Sequence, residues 1–232
     1  MLETPVIFHG SQFIIEKPAF GEGNPRNDYG LGFYCTHEIE LAKEWACNEE
    51  SSGFANRYEM DMSGLSITDL SGSDYNILNW LSILLDNRVF RISNDVAAEG
   101  RKYLLDTFKP DVSVFDVIKG YRADDSYFAF AGAFLNNTLS LERLENAMYL
   151  GNLGEQIVLK SRKSFEQIHF LGYETADHEI FFPMRRARDK KARLAFRDER
   201  GRQSAADSVF LVDILRERWE NDDPRIRRNI SG

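Results

Sequence analysis

The apolar positions along this chain change period many times, and each change marks an element. Pro5-Val6-Ile7-Phe8 is a short apolar run that stops at His9-Gly10-Ser11, the pattern of a strand entering a loop. From Gly21 to Gly32, glycines at 21, 23, 30 and 32 are interleaved with Asn24, Pro25, Asn27 and Asp28, so this stretch reads as a chain of turns. Phe33-Tyr34-Cys35 resumes strand chemistry. Thr36 is placed to cap a helix from His37 to about Asn48, with Ile39, Ala42, Trp45 and Ala46 on one face. Alternation at Tyr58, Met60 and Met62 predicts a half-buried strand over 54–62, and Leu65-Ser66-Ile67 a second one. Helical spacing of Ile77, Leu78, Leu81, Leu84 and Leu85 predicts a helix over 74–87, followed by another over 94–108 that Pro110 ends. A strand over 114–118, helices over 127–136 and 141–150, and strands over 156–160 and 165–171 come next. A charged helix is expected after Pro183, and a last amphipathic helix over 208–221. Strands and helices in this irregular order predict an α+β fold rather than a doubly wound one.

Composition agrees with a packed chain. Of the 232 residues, 43% are hydrophobic and 12% aromatic, enough to fill a core. The net charge of −8 excludes a wholly basic nucleic-acid binder but leaves room for a local basic patch. Such a patch exists: residues 185–202 hold nine Lys/Arg against three Asp/Glu, and with a net −1 over residues 207–232 the first 184 residues carry −13. A solvated helix is one reading of this segment; a contact surface for a phosphate-bearing or acidic partner is the other. Two cysteines, Cys35 and Cys47, make neither a disulfide framework nor a thiolate zinc site. No apolar run is long enough to span a membrane, and the N-terminus lacks the features of a signal peptide, so a cytoplasmic location without membrane contact is expected.

The common catalytic fingerprints are missing: there is no phosphate-binding P-loop, no dinucleotide-binding glycine turn, no His-Glu-x-x-His and no Gly-x-Ser-x-Gly. The histidines at 9, 37, 169 and 178 show no metal-ligand spacing, and no metal is expected. Three short pieces stand out instead, at strand ends or in glycine-rich turns. They are Phe8-His9-Gly10-Ser11, Tyr29-Gly30-Leu31-Gly32-Phe33-Tyr34-Cys35-Thr36, and Gly154-Glu155-Gln156-Ile157-Val158-Leu159. A fourth loop, Tyr121 to Asp125, follows a predicted strand and Gly120.

The order of these pieces resembles the ADP-ribosyltransferase superfamily, in its His-Tyr-Glu branch shared by poly(ADP-ribose) polymerases and diphtheria-type toxins. The resemblance runs from about residue 5 to 171. More narrowly, the blocks Asn27–Tyr34 and Gly120–Tyr127 are similar to those of a bacterial family of ADP-ribosyltransferase-like proteins, often toxins encoded beside a small partner protein. The resemblance implies split antiparallel sheets around an NAD cleft, with inserted helices and a C-terminal helical extension. It implies that NAD is the substrate and that ADP-ribose passes to a macromolecule, protein or nucleic acid, with release of nicotinamide. By motif position His9, Tyr34 and Glu155 would be catalytic. His9, Gly10, Ser11, Tyr29, Tyr34, Arg122 and Gln156 would bind NAD, with Gly10 reaching the carboxamide through its backbone.

The chemistry accounts for these residue types. Breaking the nicotinamide–ribose bond builds an oxocarbenium-like centre, which a carboxylate stabilises. An aromatic face suits the nicotinamide ring. Glu155 is favoured over Gln156 as the inward residue because an amide supplies no charge, and strand alternation turns only one of the two to the cleft. With Gln156 inward, the site would bind NAD and turn it over little. A catalytically weak NAD- or ADP-ribose-binding module and an NAD glycohydrolase are the alternative functions. A third is an interaction protein whose 208–221 helix docks a partner. The expected organisation is a domain over 1–183 and a helical extension over 184–232.

Overall fold

A computed structural model describes residues 4–123, 125–150, 154–200 and 208–226. It is a mixed α+β arrangement of two sheets and, among the described residues, eight helices. The first sheet has the order β1-β3-β7, from Val6–Ser11, Gly53–Met60 and Ile168–Ala176, and is antiparallel throughout. The second has the order β2-β6-β5-β4, from Phe33–Cys35, Glu155–Leu159, Val117–Tyr121 and Ile67–Asp69. Its last pair, β4 and β5, is parallel, so this sheet is mixed rather than antiparallel as expected. The 47 residues between β4 and β5 include α2 (Ile77–Asn87) and α3 (Asp95–Phe108), and a helical crossover of this kind is what lets the two strands run the same way. One bridge joins the sheets: Phe8 and Thr36 exchange backbone hydrogen bonds of 2.8 and 2.9 Å.

Two apolar cores follow from strand alternation. Ile7, Phe33, Cys35, Tyr58, Met60, Val117, Ile157 and Leu159 fill the space between the sheets. The other face of the second sheet, with Ile118 and Val158, packs under α2, α3, α4 (Asp125–Leu135) and α5 (Leu141–Leu150). Asn76 caps α2 by accepting the Leu78 and Asn79 N–H groups, and the Asn79 side chain returns a hydrogen bond to the Asn76 backbone.

Three sequence expectations need correcting. The segment expected as a strand over 165–171 opens with a short helix, α6 (Arg162–Glu166), because Ser161 caps it by accepting the Ser164 N–H. The boundary expected at 183/184 falls inside one continuous helix, α7 (His178–Arg200), which carries Pro183 in its second turn. The last part of the expected extension packs on the body. Leu211 and Ile214 of α8 (Leu211–Glu217), with Trp219 and Ile226 beyond it, are buried in the main core against α3.

Candidate functional site

The pairing of β2 with β6 decides which residues meet. Tyr34 stands opposite Val158 and Cys35 opposite Ile157. Ile157 and Leu159 belong to the core between the sheets, so Val158 and Gln156 must face the other way, on the side of Tyr34. Gln156 is only 6% exposed there. Glu155 is exposed at the outer end of β6, where its Oε1 accepts the Ser71 hydroxyl at 3.0 Å. The inward residue is therefore Gln156, not Glu155, and the reason is apolar demand: moving Glu155 inward would turn Ile157 and Leu159 out of the core.

Tyr34 and Gln156 line a cavity of about 230 Å³ together with Asn27, Asp28, Trp45, Arg88, Arg122, Ala123 and Arg185. The Tyr34 hydroxyl donates to the Gly30 carbonyl at 2.6 Å and accepts the Tyr29 N–H at 3.0 Å, so it is committed to the turn. Burial keeps its pKa far above the usual phenol value. Four buried polar atoms of this wall lack a hydrogen-bond partner among the described residues: Asp28 Oδ1 and Arg88 Nε, which lie 3.0 Å apart, and, away from that ion pair, the Gln156 Oε1 acceptor and the Trp45 Nε1 donor. Trp45 comes from α1 (Ile39–Ala46), and the Arg122 guanidinium lies 4.9 Å from its ring centre. Asp28 is 4% exposed. It accepts the Ala123 N–H at 2.9 Å and lies 3.0 Å from Arg88 Nε, without hydrogen-bond alignment to it. Burial raises its pKa; the Ala123 N–H and the Arg88 and Arg122 charges oppose that rise.

The remaining predicted residues lie elsewhere. The His9 ring stacks on Phe33 at 4.2 Å, and its Nδ1 is 2.7 Å from the Tyr34 carbonyl oxygen. It touches the Tyr34 backbone but does not line the cavity. Burial pushes its pKa below the ordinary 6.5. Gly10 packs against α1, where a Cβ would meet the Ala42 carbonyl oxygen at 2.0 Å. Ser11 accepts the Phe13 N–H at 3.1 Å. Tyr29 is 2% exposed; its hydroxyl donates to the Tyr121 carbonyl at 2.6 Å and accepts from Trp80 Nε1, so it is a core residue. Of His9, Tyr34 and Glu155, only Tyr34 reaches the cavity. Tyr34, Arg122 and Gln156 are brought together; His9, Gly10, Ser11, Tyr29 and Glu155 are not. Sequence reasoning missed Trp45, Arg88 and Arg185 as cavity residues, and the only signal for Trp45 was its place on the apolar face of α1.

A second, wider hollow of about 660 Å³ adjoins the first and shares Arg88, Arg122, Ala123 and Arg185 with it. Its far wall is α7. Glu44 of α1, fully buried, receives Arg188 of α7 through two hydrogen bonds of 2.8 and 3.1 Å, which hold the helix against the cleft.

Residues 6–170 match a family model described as a protein of unknown function, DUF3990. The chain belongs to the DUF3990 family. No curated protein and no solved structure matches it. The DUF3990 match takes in Asp28, Tyr34, Trp45, Arg88, Arg122 and Gln156 and ends within β7. The basic wall supplied by α7 therefore lies beyond the matched stretch of this DUF3990 chain. Among the described residues no group of three or more His, Cys, Asp or Glu side chains is placed to hold a metal ion, and no helix is long and apolar enough to cross a membrane.

Proposed function

We propose that this chain is an ADP-ribosyltransferase-type domain that binds NAD in the Tyr34–Gln156 cavity and transfers ADP-ribose slowly to a macromolecular acceptor. One observation carries the reading: beyond the Asp28–Arg88 ion pair, a buried acceptor and a buried donor, Gln156 Oε1 and Trp45 Nε1, lack partners among the described residues in the same aromatic-walled cavity. An orphaned buried polar group costs about 1–3 kcal/mol, so a pair of them in one cavity marks a place built for a ligand. A carboxamide offers the complementary donor and acceptor on one planar group. Beside it, Arg88, Arg122 and Arg185 suit a pyrophosphate.

The reaction follows from the ligand. An acceptor nucleophile bonds to the ribose C1′ as the C1′–nicotinamide bond breaks. Nicotinamide leaves with the bonding electrons, and the acceptor's proton passes to water. The positive charge building on the ribose wants an anion. Gln156 supplies none, and Asp28 is the carboxylate of the cavity wall, partly neutralised by the arginines around it. Slow turnover is the expected consequence.

Calorimetry with NAD and an assay for released nicotinamide test this together. Wild type binds NAD; Gln156→Glu raises release, and Glu155→Gln leaves it unchanged. Binding without release in either protein favours a binding module. Release to water alone favours a hydrolase. Absence of NAD binding refutes the proposal.

A further inference from the structure

The part of α7 that borders the wide hollow is mostly basic. Phe182, Arg185, Arg186, Asp189, Lys190 and Arg193 line the hollow. Ala187 and Arg188 line it as well, so the continuous run 185–190 borders the hollow, and Phe182 and Arg193 extend that border by about a turn at each end. Much of the basic segment's charge therefore borders the cleft, with Arg186 and Lys190 exposed to solvent at its mouth.

The charge there exceeds what NAD needs. Arg88, Arg122, Arg185, Arg186, Arg188, Lys190 and Arg193 stand against two acids in this wall, Glu44 and Asp189, with Asp28 of the adjoining cavity beside Arg88. Arg188 is committed to Glu44 at 2.8 Å, and Arg193 pairs with Asp189 at 2.9 Å. Arg185, Arg186 and Lys190 form no ion pair among the described residues. A dinucleotide pyrophosphate carries two negative charges, and Arg88, Arg122 and Arg185 already flank the small cavity. Arg186 and Lys190, which line only the wide hollow, are left for another anion. Phe182 in the same wall, with the Arg186 guanidinium 5.9 Å from its ring, adds an aromatic surface beside the cations.

The geometry points to single-stranded nucleic acid as the acceptor, its phosphodiester chain running through the hollow along the Arg185–Arg193 stretch of α7. This names the acceptor class for the reaction proposed above and rests on that reading. Cationic grooves with interleaved aromatic rings suit single strands, because phosphates meet the charges and bases meet the rings. An acidic protein would satisfy the charge but would make no use of the regular phosphate spacing that repeating cations along a helix match.

The test uses the full chain and fluorescein-labelled 20-mers of RNA and DNA, read by anisotropy from 50 to 200 mM salt. A single strand loses about 0.7 log units of affinity per phosphate contact per log unit of salt. Four contacts then predict about a 50-fold fall across that range. The double variant Arg186→Glu/Lys190→Glu, at two exposed positions, is expected to lose at least tenfold in oligonucleotide affinity with NAD affinity unchanged. Three results overturn the proposal: no oligonucleotide binding at 50 mM salt, equal binding by wild type and variant, or equal binding of a poly-glutamate peptide of matched charge. Oligonucleotide binding by a protein that does not bind NAD overturns the function proposed above and leaves the groove standing.

Discussion

Gly10→Ala separates two accounts of the glycine that follows His9. In the sequence resemblance, Gly10 is there so that a ligand reaches the backbone. In the structure it is there because α1 reaches the backbone first. An added Cβ would lie 2.0 Å from the Ala42 carbonyl oxygen, 2.9 Å from the Ala46 nitrogen and 2.9 Å from the Trp45 Cβ. Real Cβ contacts essentially never fall below 3.0 Å, so β1 and α1 must separate by about an ångström. The nearest atoms are backbone, and no rotamer change relieves them. Overpacking typically costs about 1–3 kcal/mol, and a clash with main chain belongs at or above the top of that range. With a urea slope of about 3 kcal/mol/M, the unfolding midpoint should fall by about 1 M. Gly132→Ala is the control. It lies within α4 with open space around its Cβ and should gain about 0.5–1 kcal/mol. A Gly10→Ala protein with the wild-type midpoint, impaired only in ligand binding, would refute the packing account.

Other expectations follow from the same contacts. Glu44→Gln removes the charge that Arg188 meets; since Arg188 is partly solvated, the loss is about 2 kcal/mol in urea unfolding, and hydrogen exchange in α7 should rise. Tyr34→Phe keeps the ring but drops the hydroxyl bridging Gly30 and Tyr29, which should cost about 1–2 kcal/mol in stability with little change in NAD affinity. His9 is held neutral by burial, so the stability it contributes is complete above pH 6.5 and is lost as the pH falls through its lowered value. His9→Phe should therefore flatten the stability curve below pH 6.5, and an unchanged slope would remove His9 from that role.

Much of the fold was legible because it rests on local periodicity. The helix over 77–87 and the strand over 53–60 follow directly from apolar spacing, and the two bury most of what that spacing marks. What escaped was set at long range. Glu155 and Gln156 are equivalent to a reader of the sequence until the core claims Ile157 and Leu159, and charge chemistry favoured the wrong one. Trp45 looked like one more apolar helix residue, because nothing in its neighbourhood says that it shares a cavity with Gln156. Tyr29 sits in the motif-bearing loop, yet Trp80 and Tyr121, far along the chain, draw its hydroxyl into the core. The helix at 162–166 was hidden because a single turn has no period to detect; its cap at Ser161 was the available signal.

Charge is placed unevenly around the candidate site. The first 184 residues carry −13, so most of this surface repels a polyanion. The arginines of the cleft and the part of α7 that borders it form the exception, and Glu44 anchors that exception to α1. On the function proposed above, a phosphate-bearing molecule would be drawn toward the mouth of the cavity and resisted elsewhere, giving discrimination through repulsion as well as attraction. The long-range part of this effect is screened within about 8 Å at physiological salt, whereas Asp28, Gln156 and Trp45 act at contact distance. Raising the salt should therefore weaken a long anionic strand far more than NAD, and the ratio of the two salt slopes reads out how much of the recognition belongs to α7 and how much to the cavity.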